Sequence, residues 1–437
     1  MKTPLQLVPR ASAALGGRPL AVLGAGVSGR AAAALARRLG VAACLYDERD
    51  GEPFSQDAAE SHSLVVTSPG FAPRHPWLEL ARSAGLQVWT EFDWAAAHCD
   101  ARFVAVTGTN GKSSLSRLLT RALTKAGRTA VEAGNSGRPL SAYLAEETAP
   151  APEFVVAEIS SFQAELLEVL RPDALLWTTF APDHLDRHGN LSAYFAAKYR
   201  LVEALAPGGK AWAGPSVPAA AAALGYPPNE RLLRVAPTGP APEPFGLGAP
   251  AIGWFLARAF WQAEGLSESA LEQAARAFQP LPHRFQWIRD VAGVSYFNDS
   301  KATNFEAAIA AVRSTPGPLY WIAGGKSKGE DSESLIEAAA PHVTTAFLIG
   351  ETAPALAAAC HRQRVSAVVC DRLETAVERA TAAARLTAPA SVLLSPGMAS
   401  QDQFRDFVQR GEVFTRAVFR LPETEPDAIL SSPSYTR

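Results

Sequence analysis

Short apolar runs alternate along the chain with longer segments in which apolar residues recur every three or four positions. The runs predict buried β-strands, and the periodic segments predict helices that pack on one face. Because strands and helices take turns along the sequence, we expect mostly parallel sheets covered by helices. The predicted strands are residues 19–23, 42–46, 64–66, 102–107, 154–157, 174–178, 294–297, 319–322, 346–349, 367–369 and 392–394. The predicted helices are residues 30–39, 191–205, 253–263, 304–313, 373–385 and 401–414, with one more that follows Lys112 and ends at Gly127.

The pattern divides into three sections, and 437 residues are too many for one hydrophobic core. We predict an α/β protein of three domains. They are a Rossmann-like domain over residues 1–96, a central P-loop ATPase-like domain with a mostly parallel sheet over 97–280, and a C-terminal Rossmann-like α/β domain over 281–437. Residues 206–248 are rich in Pro, Gly and Ala and predict loops and short elements, and residues 422–437 predict a frayed tail.

Composition narrows the class of protein. A hydrophobic fraction of 48% with 19% charged residues is typical of a globular protein. The net charge of −2 indicates no basic footprint, so we expect no nucleic-acid partner. No apolar stretch reaches 18 residues, and Pro4, Pro9 and Arg10 interrupt the N-terminus, so we expect neither membrane insertion nor a signal peptide. Four cysteines without metal-binding spacing predict reduced thiols in a cytoplasmic protein.

The apolar run from Arg102 predicts a buried strand. It leads into Thr107-Gly-Thr-Asn-Gly-Lys-Ser113, a loop that contains glycines, a lysine and a hydroxyl side chain. Backbone amides of such a loop face phosphate oxygens, Lys112 adds positive charge, and Ser113 can bind the Mg²⁺ that accompanies ATP. The strict P-loop pattern has glycine where Val106 stands. A glycine turn without a ligand is the alternative, but the Lys-Ser pair directly after the turn favours a nucleoside triphosphate.

A second glycine turn, Gly24-Ala-Gly-Val-Ser-Gly29, joins a predicted strand to a predicted helix, and the next strand ends at Asp47. This arrangement is typical of a Rossmann-type nucleotide site, although the motif does not identify the nucleotide. A tight turn without a ligand is one alternative. A nicotinamide-dependent dehydrogenase is another, but it would leave the loop at 107–113 unexplained.

Acidic and histidine side chains follow two of the central strands. Glu158 directly follows the strand at 154–157, where a carboxylate beside a phosphate loop is predicted to hold Mg²⁺. A carboxylate that stabilises the start of the next helix is the alternative. The run Pro182-Asp-His-Leu-Asp-Arg-His188 follows the strand at 174–178 and can bind metal or transfer protons, with a polar loop as the alternative.

Three further segments contain lysines that are candidates for a functional role. Lys198 lies in a helical stretch among large apolar residues, and composition alone predicts a surface lysine whose stem covers apolar neighbours. In the third section, Asn298-Asp-Ser-Lys-Ala-Thr-Asn304 and Gly324-Gly-Lys-Ser-Lys-Gly329 each follow a strand. Their lysines indicate positive charge for an anionic ligand, with solvated turns as the alternative.

Together these motifs resemble the Mur ligases of bacterial cell-wall synthesis over nearly the whole chain. The resemblance rests on residues 24–29, 68–70, 107–113, 134–137, 158–163, 183–187, 281–284, 298–304 and 395–407. The run Asp-Ser-Lys-Ala-Thr-Asn at 299–304 is typical of the D-glutamate-adding member of that family. The resemblance implies an ATP-dependent ligase that adds D-glutamate to UDP-N-acetylmuramoyl-L-alanine in peptidoglycan precursor synthesis.

The resemblance also implies roles for individual residues. The UDP-sugar would contact Gly26, Val27, Ser28, Asp47, Arg49, Gly70, Asn135, Ser160 and Gln163. ATP would contact Gly108, Thr109, Asn110, Gly111, Lys112, Ser113, Ser114, Arg284, Asp299 and Lys301. Mg²⁺ would be held by Ser113, Glu158, His184 and Lys198, the lysine as a carbamate that turns a cation into a carboxylate-like ligand. D-Glutamate would contact Thr303, Lys328, Ser400 and Phe407, and the catalytic residues would be Lys112, His184 and Lys198.

The implied chemistry follows from charge. ATP would phosphorylate the alanyl carboxylate, the amine of D-glutamate would attack the acyl phosphate, and inorganic phosphate would leave. Mg²⁺ and Lys112 would offset the phosphoryl charge, and closure of three domains would exclude water. We expect a monomer whose partners are these small-molecule substrates.

Two positions depart from the family pattern. Residues 248–254, Gly-Ala-Pro-Ala-Ile-Gly-Trp, stand where the family has a Gly-x-His-Asn-x-x-Asn run near the adenine, and the stretch before them is shorter. Thr179 stands where an asparagine often precedes the Asp-His-Leu-Asp run. A non-catalytic relative that binds the UDP-sugar but uses ATP poorly is therefore an alternative, although the phosphate and metal residues are all present.

Overall fold

The computed structural model describes residue 15 and residues 17–49, 51–135, 137–245, 248–329 and 331–423. From residue 424 onward, the predicted tail lies outside these residues. Three separate sheets follow one another along the sequence, each accompanied by helices. The predicted α/β fold class is confirmed. In the described part of the chain, no helix is both long enough and apolar enough to cross a membrane.

The first sheet is parallel and has four strands. They are β1 (Leu20–Leu23), β2 (Ala43–Tyr46), β3 (Leu64–Thr67) and β4 (Gln87–Thr90), in the order β2-β1-β3-β4. Its helices are α1 (Val27–Arg38), α2 (Gln56–Ser61), α3 (Pro76–Ser83) and α4 (Glu91–Ala96). All four residues of β1 are buried, because a central parallel strand is covered on both faces.

The second sheet has six parallel strands. They are β5 (Arg102–Thr107), β6 (Ala130–Gly134), β7 (Phe154–Glu158), β8 (Ala174–Trp177), β9 (Lys210–Ala213) and β10 (Leu232–Arg234), in the order β10-β9-β8-β5-β7-β6. The helices are α5 (Lys112–Lys125), α6 (Leu140–Leu144), α7 (Ser161–Ala164), α8 (Leu185–His188), α9 (Leu191–Glu203), α10 (Ser216–Ala223), α11 (Gly248–Ala263) and α12 (Glu268–Arg276). The predicted apolar face of α5 is buried against α11 and α12, so this helix is confirmed.

The third sheet also has six strands. They are β11 (Gln286–Val291), β12 (Val294–Asn298), β13 (Leu319–Gly324), β14 (Thr345–Ile349), β15 (Ser366–Val369) and β16 (Ala390–Leu394), in the order β11-β12-β16-β13-β14-β15. Only β11 among them runs antiparallel to its neighbour. The helices are α13 (Phe305–Ser314), α14 (Ser332–Ala339), α15 (Ala353–Arg362), α16 (Leu373–Arg385) and α17 (Phe407–Phe419), with a 3₁₀ turn at Ala340–His342.

The three sheets fall into two compact units. The first unit contains the described residues up to Ala181 together with residues 188–279, so it holds the first two sheets. The second unit contains the third sheet, and it also includes residues 182–187 from the central part of the sequence. This short segment carries Asp183 and His184.

Several element boundaries differ from the predictions. Helix α17 begins at Phe407 instead of residue 401, because the Asp406 side chain caps it and accepts the backbone N–H of Gln409 at 2.8 Å. Helix α11 begins at Gly248, five residues before the predicted start. Residues 206–248 contain the short elements β9, α10 and β10, much as composition indicated.

Candidate active site

The phosphate loop connects β5 to α5, and its two glycines are required by its geometry. Gly108 has φ of 141° and Gly111 has φ of 87°, both in the region that L side chains rarely adopt. A Cβ on Gly108 would lie 2.0 Å from the Thr178 Oγ1 atom. The glycine spacing is therefore set by backbone conformation and by the close approach of the next strand.

Two threonines after β8 hold the loop in place. The backbone N–H of Thr109 donates to the Thr179 carbonyl at 2.8 Å, and the N–H of Asn110 donates to the Thr179 hydroxyl at 3.0 Å. The Thr178 hydroxyl donates to the Thr107 carbonyl at 3.1 Å. Thr179, which departs from the family pattern, thus supports the loop through its own hydroxyl.

Two lysines converge on Gly108. The Nζ atom of Lys112 donates to the carbonyls of Gly108 at 2.9 Å and Thr109 at 3.0 Å, and the Nζ of Lys198 donates to the Gly108 carbonyl at 3.0 Å. Lys198 is only 1% exposed, so the surface lysine predicted from composition is wrong. Its side chain is buried because α9 packs its aromatic residues inward, and its Nζ lies 4.9 Å from the centroid of the Tyr194 ring. Two positive charges at one loop favour an anion there.

Glu158 is at the end of β7, and Val106 of β5 is its register partner, which places it next to the phosphate loop. It is 2% exposed. Its Oε1 atom accepts from the Asn135 side-chain amide at 2.8 Å, whereas its Oε2 atom is buried with no hydrogen-bond partner among the described residues. A buried carboxylate oxygen without a partner is costly, and a hard cation would satisfy it. The donor chemistry therefore fits Mg²⁺.

Ser160 and Gln163 bond to each other. The Ser160 hydroxyl accepts the N–H of Gln163 at 3.2 Å, and the Gln163 side-chain oxygen accepts the N–H of Ser160 at 3.0 Å. This pair is a capping box that starts the one-turn helix α7. Ser160 and Gln163, both predicted to contact the substrate, thus also stabilise the start of the helix that follows Glu158.

The N-terminal glycine turn is organised by a carboxylate. Asp47 accepts the N–H of Ala25 at 2.7 Å and the N–H of Arg49 at 3.0 Å. A Cβ on Gly29 would lie 1.8 Å from the Gly24 carbonyl oxygen, so α1 packs tightly on the turn. Val27, in the first turn of α1, is 76% exposed. Gly26 and Gly70 are also exposed, and Ser28 is half-buried.

The stretch at 248–254 is helical. It forms the first turns of α11, and an ideal Cβ on Gly111 would lie 3.3 Å from the Ala249 Cβ atom. A helix therefore abuts the phosphate loop at the position where the family pattern has an asparagine-containing run. The side chains of this segment, which would lie near the adenine base, are small or apolar.

In the second unit, Asp183 anchors the segment that carries His184. Its carboxylate accepts from the Lys328 ammonium at 2.8 Å and from the Asn304 amide at 3.2 Å. Burial raises the pKa of Asp183, but Lys328, His184 and these hydrogen bonds outweigh it and hold the pKa below its usual value. His184 follows with φ of 54° and a side chain 37% exposed. Lys328, predicted to receive D-glutamate, also donates to the Thr303 carbonyl at 3.0 Å.

Asp299 is buried beneath the Arg284 segment. It accepts the N–H of Phe285 at 2.9 Å and the Ser395 hydroxyl at 2.9 Å. Burial raises the pKa of Asp299 to about 7, so the carboxyl is partly protonated at neutral pH. His283 and Phe285, on either side of Arg284, have φ of 61° and 45°. Asp299 thus supports a strained segment that presents a predicted nucleotide contact.

Two of the residues predicted for D-glutamate, Ser400 and Phe407, lie shortly before α17 and at its first position. The Lys301 Nζ atom is 4.1 Å from the centroid of the Phe407 ring, a cation–π contact. Ser400 is 1% exposed, and its hydroxyl has no hydrogen-bond partner among the described residues. A buried hydroxyl without a partner fits a polar ligand, because its desolvation would otherwise be uncompensated.

Sequence reasoning assigned no role to Thr178, Tyr194 and Arg410. The Thr178 hydroxyl donates to the carbonyl of Asn110, and the Tyr194 ring lies beside Lys198. Arg410 bonds to Ser300, between the predicted site residues Asp299 and Lys301. Asn304 was part of a recognised run, but its bond to Asp183 spans 121 residues. A buried arginine has no local signal, because only tertiary packing removes it from water.

Two family models match the chain. The Mur ligase middle domain matches residues 106–220, and the Mur ligase glutamate ligase domain matches residues 283–397. The first includes the phosphate loop, Glu158 and Lys198, and the second includes Arg284 and residues 298–304.

Curated relatives match over nearly the full length. A UDP-N-acetylmuramoylalanine–D-glutamate ligase from Gloeobacter violaceus is 35% identical over 444 residues, covering 92% of this chain and 99% of that protein. An enzyme of the same name from Frankia casuarinae is 34% identical, covering 92% of this chain and 94% of that protein.

Solved structures show the same fold at low sequence identity. The UDP-N-acetylmuramate-alanine ligase of Thermotoga maritima has a TM-score of 0.56 at 13% identity and covers 92% of this chain and 99% of that one. The ADP complex of the MurF ligase of the same organism has a TM-score of 0.56 at 15% identity and covers 82% of this chain and 95% of that one. With a phosphate cradle, a buried carboxylate beside it and full-length relatives above 30% identity, the chain belongs to the Mur ligase family.

Proposed function

We propose that this ligase joins D-glutamate to UDP-N-acetylmuramoyl-L-alanine, with ATP as the energy source. The observation that carries the proposal is the 35% identity over 92% of the chain to a relative named for that reaction. The phosphate loop supports it, because the glycine conformations and the Lys112 ammonium at Gly108 fit a polyanion.

The reaction needs activation, because a carboxylate does not acylate an amine at neutral pH. We propose that an oxygen of the alanyl carboxylate attacks the γ-phosphorus of ATP, and ADP leaves. The amine of D-glutamate then attacks the carbonyl carbon of the acyl phosphate, inorganic phosphate leaves, and the nitrogen loses a proton. Lys112 would stabilise the charge on the transferred phosphoryl group.

Mg²⁺ would be held by Ser113, Glu158, His184 and Lys198, and it would supply charge neutralisation at the phosphates. The partnerless Oε2 of Glu158 supports this assignment. The described residues contain no group of three or more His, Cys, Asp or Glu side chains able to hold a metal ion. A carbamate on Lys198 would add the missing oxygen ligand: the neutral amine adds to CO₂, a nitrogen–carbon bond forms, and one proton is released.

The UDP-sugar would occupy the N-terminal turn. Its predicted contacts are Gly26, Val27, Ser28, Asp47, Arg49 and Gly70, with Asn135, Ser160 and Gln163 in the central sheet region. The capping box of Ser160 and Gln163 would hold their backbone in place beside Glu158.

The second unit would supply the remaining contacts. Arg284, Asp299 and Lys301 would reach the nucleotide, and Thr303, Lys328, Ser400 and Phe407 would receive D-glutamate. We propose domain boundaries at 96/97 and 280/281, consistent with one sheet in each segment, and a monomer in solution.

The test is phosphate release from ATP by the purified chain. Release that requires UDP-N-acetylmuramoyl-L-alanine and D-glutamate together supports the proposal. Release with a different amino acid, and none with D-glutamate, would assign the chain to another ligase reaction.

A second candidate is a relative that binds the UDP-sugar but turns over ATP poorly. The helical start of α11 against Gly111 favours it, because the family's adenine-side asparagines are replaced there. Calorimetric titration with ATP separates the two candidates. An active ligase binds ATP, whereas the second candidate shows heat only with the UDP-sugar.

A further inference from the structure

Arg410 is fully buried in α17 and has 0% exposure. Its guanidinium makes five hydrogen bonds. Nη1 donates to the carbonyls of Met398 at 3.2 Å and Ala399 at 3.3 Å, and Nη2 donates to the carbonyls of Ser300 at 2.9 Å and Met398 at 3.2 Å. Nε donates to the Ser300 hydroxyl at 3.1 Å. One side chain thus joins the loop after β12 to the loop after β16.

The hydrogen bonds of Arg410 all go to neutral groups. Its four acceptor atoms are three carbonyls and one hydroxyl, and the Met398 carbonyl accepts twice. The charges of Asp402 and Asp299 also favour the cation. Burial lowers the pKa of Arg410 to about 10, so the side chain is still a cation at neutral pH. A buried positive charge therefore lies between the two loops, with Asp402 and Asp299 offsetting part of it.

The same network fixes the start of α17. The Ser300 hydroxyl donates to the Phe407 carbonyl at 2.8 Å, and the Asn298 amide donates to the Gly411 carbonyl at 2.8 Å. A Cβ on Gly325 would lie 2.2 Å from the Ala399 carbonyl oxygen and 3.2 Å from Nη1 of Arg410. The loops are packed too closely around the guanidinium to change position independently.

Ser400 directly follows Ala399, whose carbonyl accepts from Arg410. Its hydroxyl is buried and lacks a partner among the described residues. A buried hydroxyl without a partner is explained if a bound ligand completes its hydrogen bonds. A carboxylate would accept this hydrogen bond and would be favoured by the nearby positive charge.

We propose that Arg410 is the positioning residue of the amino-acid subsite, a role distinct from substrate contact. It holds the loops at 299–303 and 398–400 in one arrangement, so that the Ser400 hydroxyl is placed to donate to a carboxylate of the incoming amino acid. This proposal rests on the proposed function for the identity of the amino acid.

The test is Arg410→Lys, which keeps the charge but cannot bridge both loops with a planar fork. We expect the KM for D-glutamate to rise roughly ten- to hundredfold, the change expected when charge-assisted hydrogen bonds are lost. The KM for the UDP-sugar should stay within about twofold, because its proposed contacts lie in the first unit. The KM for ATP should rise less than that for D-glutamate, because only the loop with Asp299 and Lys301 is shared with the nucleotide contacts. Equal increases for all three substrates, or no change for D-glutamate, would overturn the proposal.

The matched control is Arg416→Lys. Arg416 lies on the same helix, but it is 57% exposed and pairs with Glu412 at 3.9 Å. Its substitution should leave all three KM values unchanged. If Arg410→Lys does not fold, Ser300→Ala serves instead, because it removes the Nε acceptor and the bond to Phe407. A rise of about threefold in the KM for D-glutamate with an unchanged KM for the UDP-sugar is expected, and an unchanged KM for D-glutamate contradicts the proposal.

A double-mutant cycle that combines Arg410→Lys with Ser400→Ala tests whether Arg410 acts through Ser400. If Arg410 acts through Ser400, the two substitutions together raise the KM for D-glutamate less than the product of their separate effects. Fully multiplicative effects would refute this route. Should the wild-type chain use another amino acid, the proposed function fails, and the same cycle measured with that amino acid still decides the role of Arg410.

Discussion

The first unit contains two glycine turns of the same kind with different surroundings. The turn at 24–29 joins β1 to α1, and the loop at 107–113 joins β5 to α5. In the first, the backbone N–H of Ala25 is taken by the Asp47 carboxylate. In the second, the backbone amides of Thr109 and Asn110 are bound by the neutral residue Thr179.

The charge around each turn differs accordingly. A carboxylate at the first turn disfavours a bare phosphate at that amide, whereas the Lys112 ammonium beside the second favours one. We therefore propose that two turns of similar strand–turn–helix geometry bind different ligands. The surrounding side chains, contributed by distant parts of the sequence, make the difference.

The largest effect is expected for Lys112→Ala. Loss of its ammonium removes charge stabilisation at the transferred phosphoryl group, so kcat for phosphate release should fall roughly a thousandfold. Lys125→Ala, at the exposed end of the same helix, is the control and should retain full activity. A loss below about threefold for Lys112→Ala would place the phosphates away from this loop.

Lys198→Ala should be the next largest, with kcat lowered roughly a hundredfold. Because the proposed carbamate acts as a carboxylate, added short-chain carboxylic acids should restore part of the activity. Lys210→Ala, an exposed lysine, should behave as wild type with or without the acid. Full activity of Lys198→Ala without acid would refute the carbamate.

Gly29→Ala tests the steric demand of the first turn. Its new Cβ would lie 1.8 Å from the Gly24 carbonyl oxygen, so the free energy of unfolding should fall by about 3 kcal/mol. Chemical denaturation measures it, and Gly26→Ala, whose Cβ would meet nothing within 4 Å, is the stability control. Equal stability of the two variants would show that the turn relaxes freely.

The smallest effect is expected for Asp47→Asn. The amide keeps the shape but loses charge and one acceptor, so stability should fall by about 1–2 kcal/mol. The KM for the UDP-sugar should rise about threefold, while that for ATP stays constant, because Asp47 belongs to the first turn only. A changed KM for ATP would contradict the division of ligands between the two turns.

Much of the fold was predictable from local pattern. The predicted strands match observed strands to within one or two residues, because short buried runs in parallel sheets are apolar throughout. Helix α17 was placed six residues too early, because the Asp406 cap was not recognised as its start. Strands β4, β6, β9, β10 and β11 were not predicted. In β11 only Val291 is buried, so the strand lacks the buried apolar run on which the prediction depends.

The candidate site was predictable only in part. The phosphate loop was recognised from its glycines, lysine and serine, and Glu158 from its place after a strand. Asp183 was recognised in its run, but its pairing with Lys328 was not, since the two lie 145 residues apart. The helical start of α11 was hidden because residues 248–254 were compared with a family motif.

The sequence by itself determined the order of strands and helices and the chemistry of the phosphate loop, since hydrophobic periodicity and turn residues act between near neighbours. Only the tertiary structure decided which charged groups are buried and what they bind. Lys198 reaches Gly108 across 90 residues, and Arg410 reaches Ser300 across 110. Burial and hydrogen bonding of this kind depend on packing between distant segments, which no local pattern records.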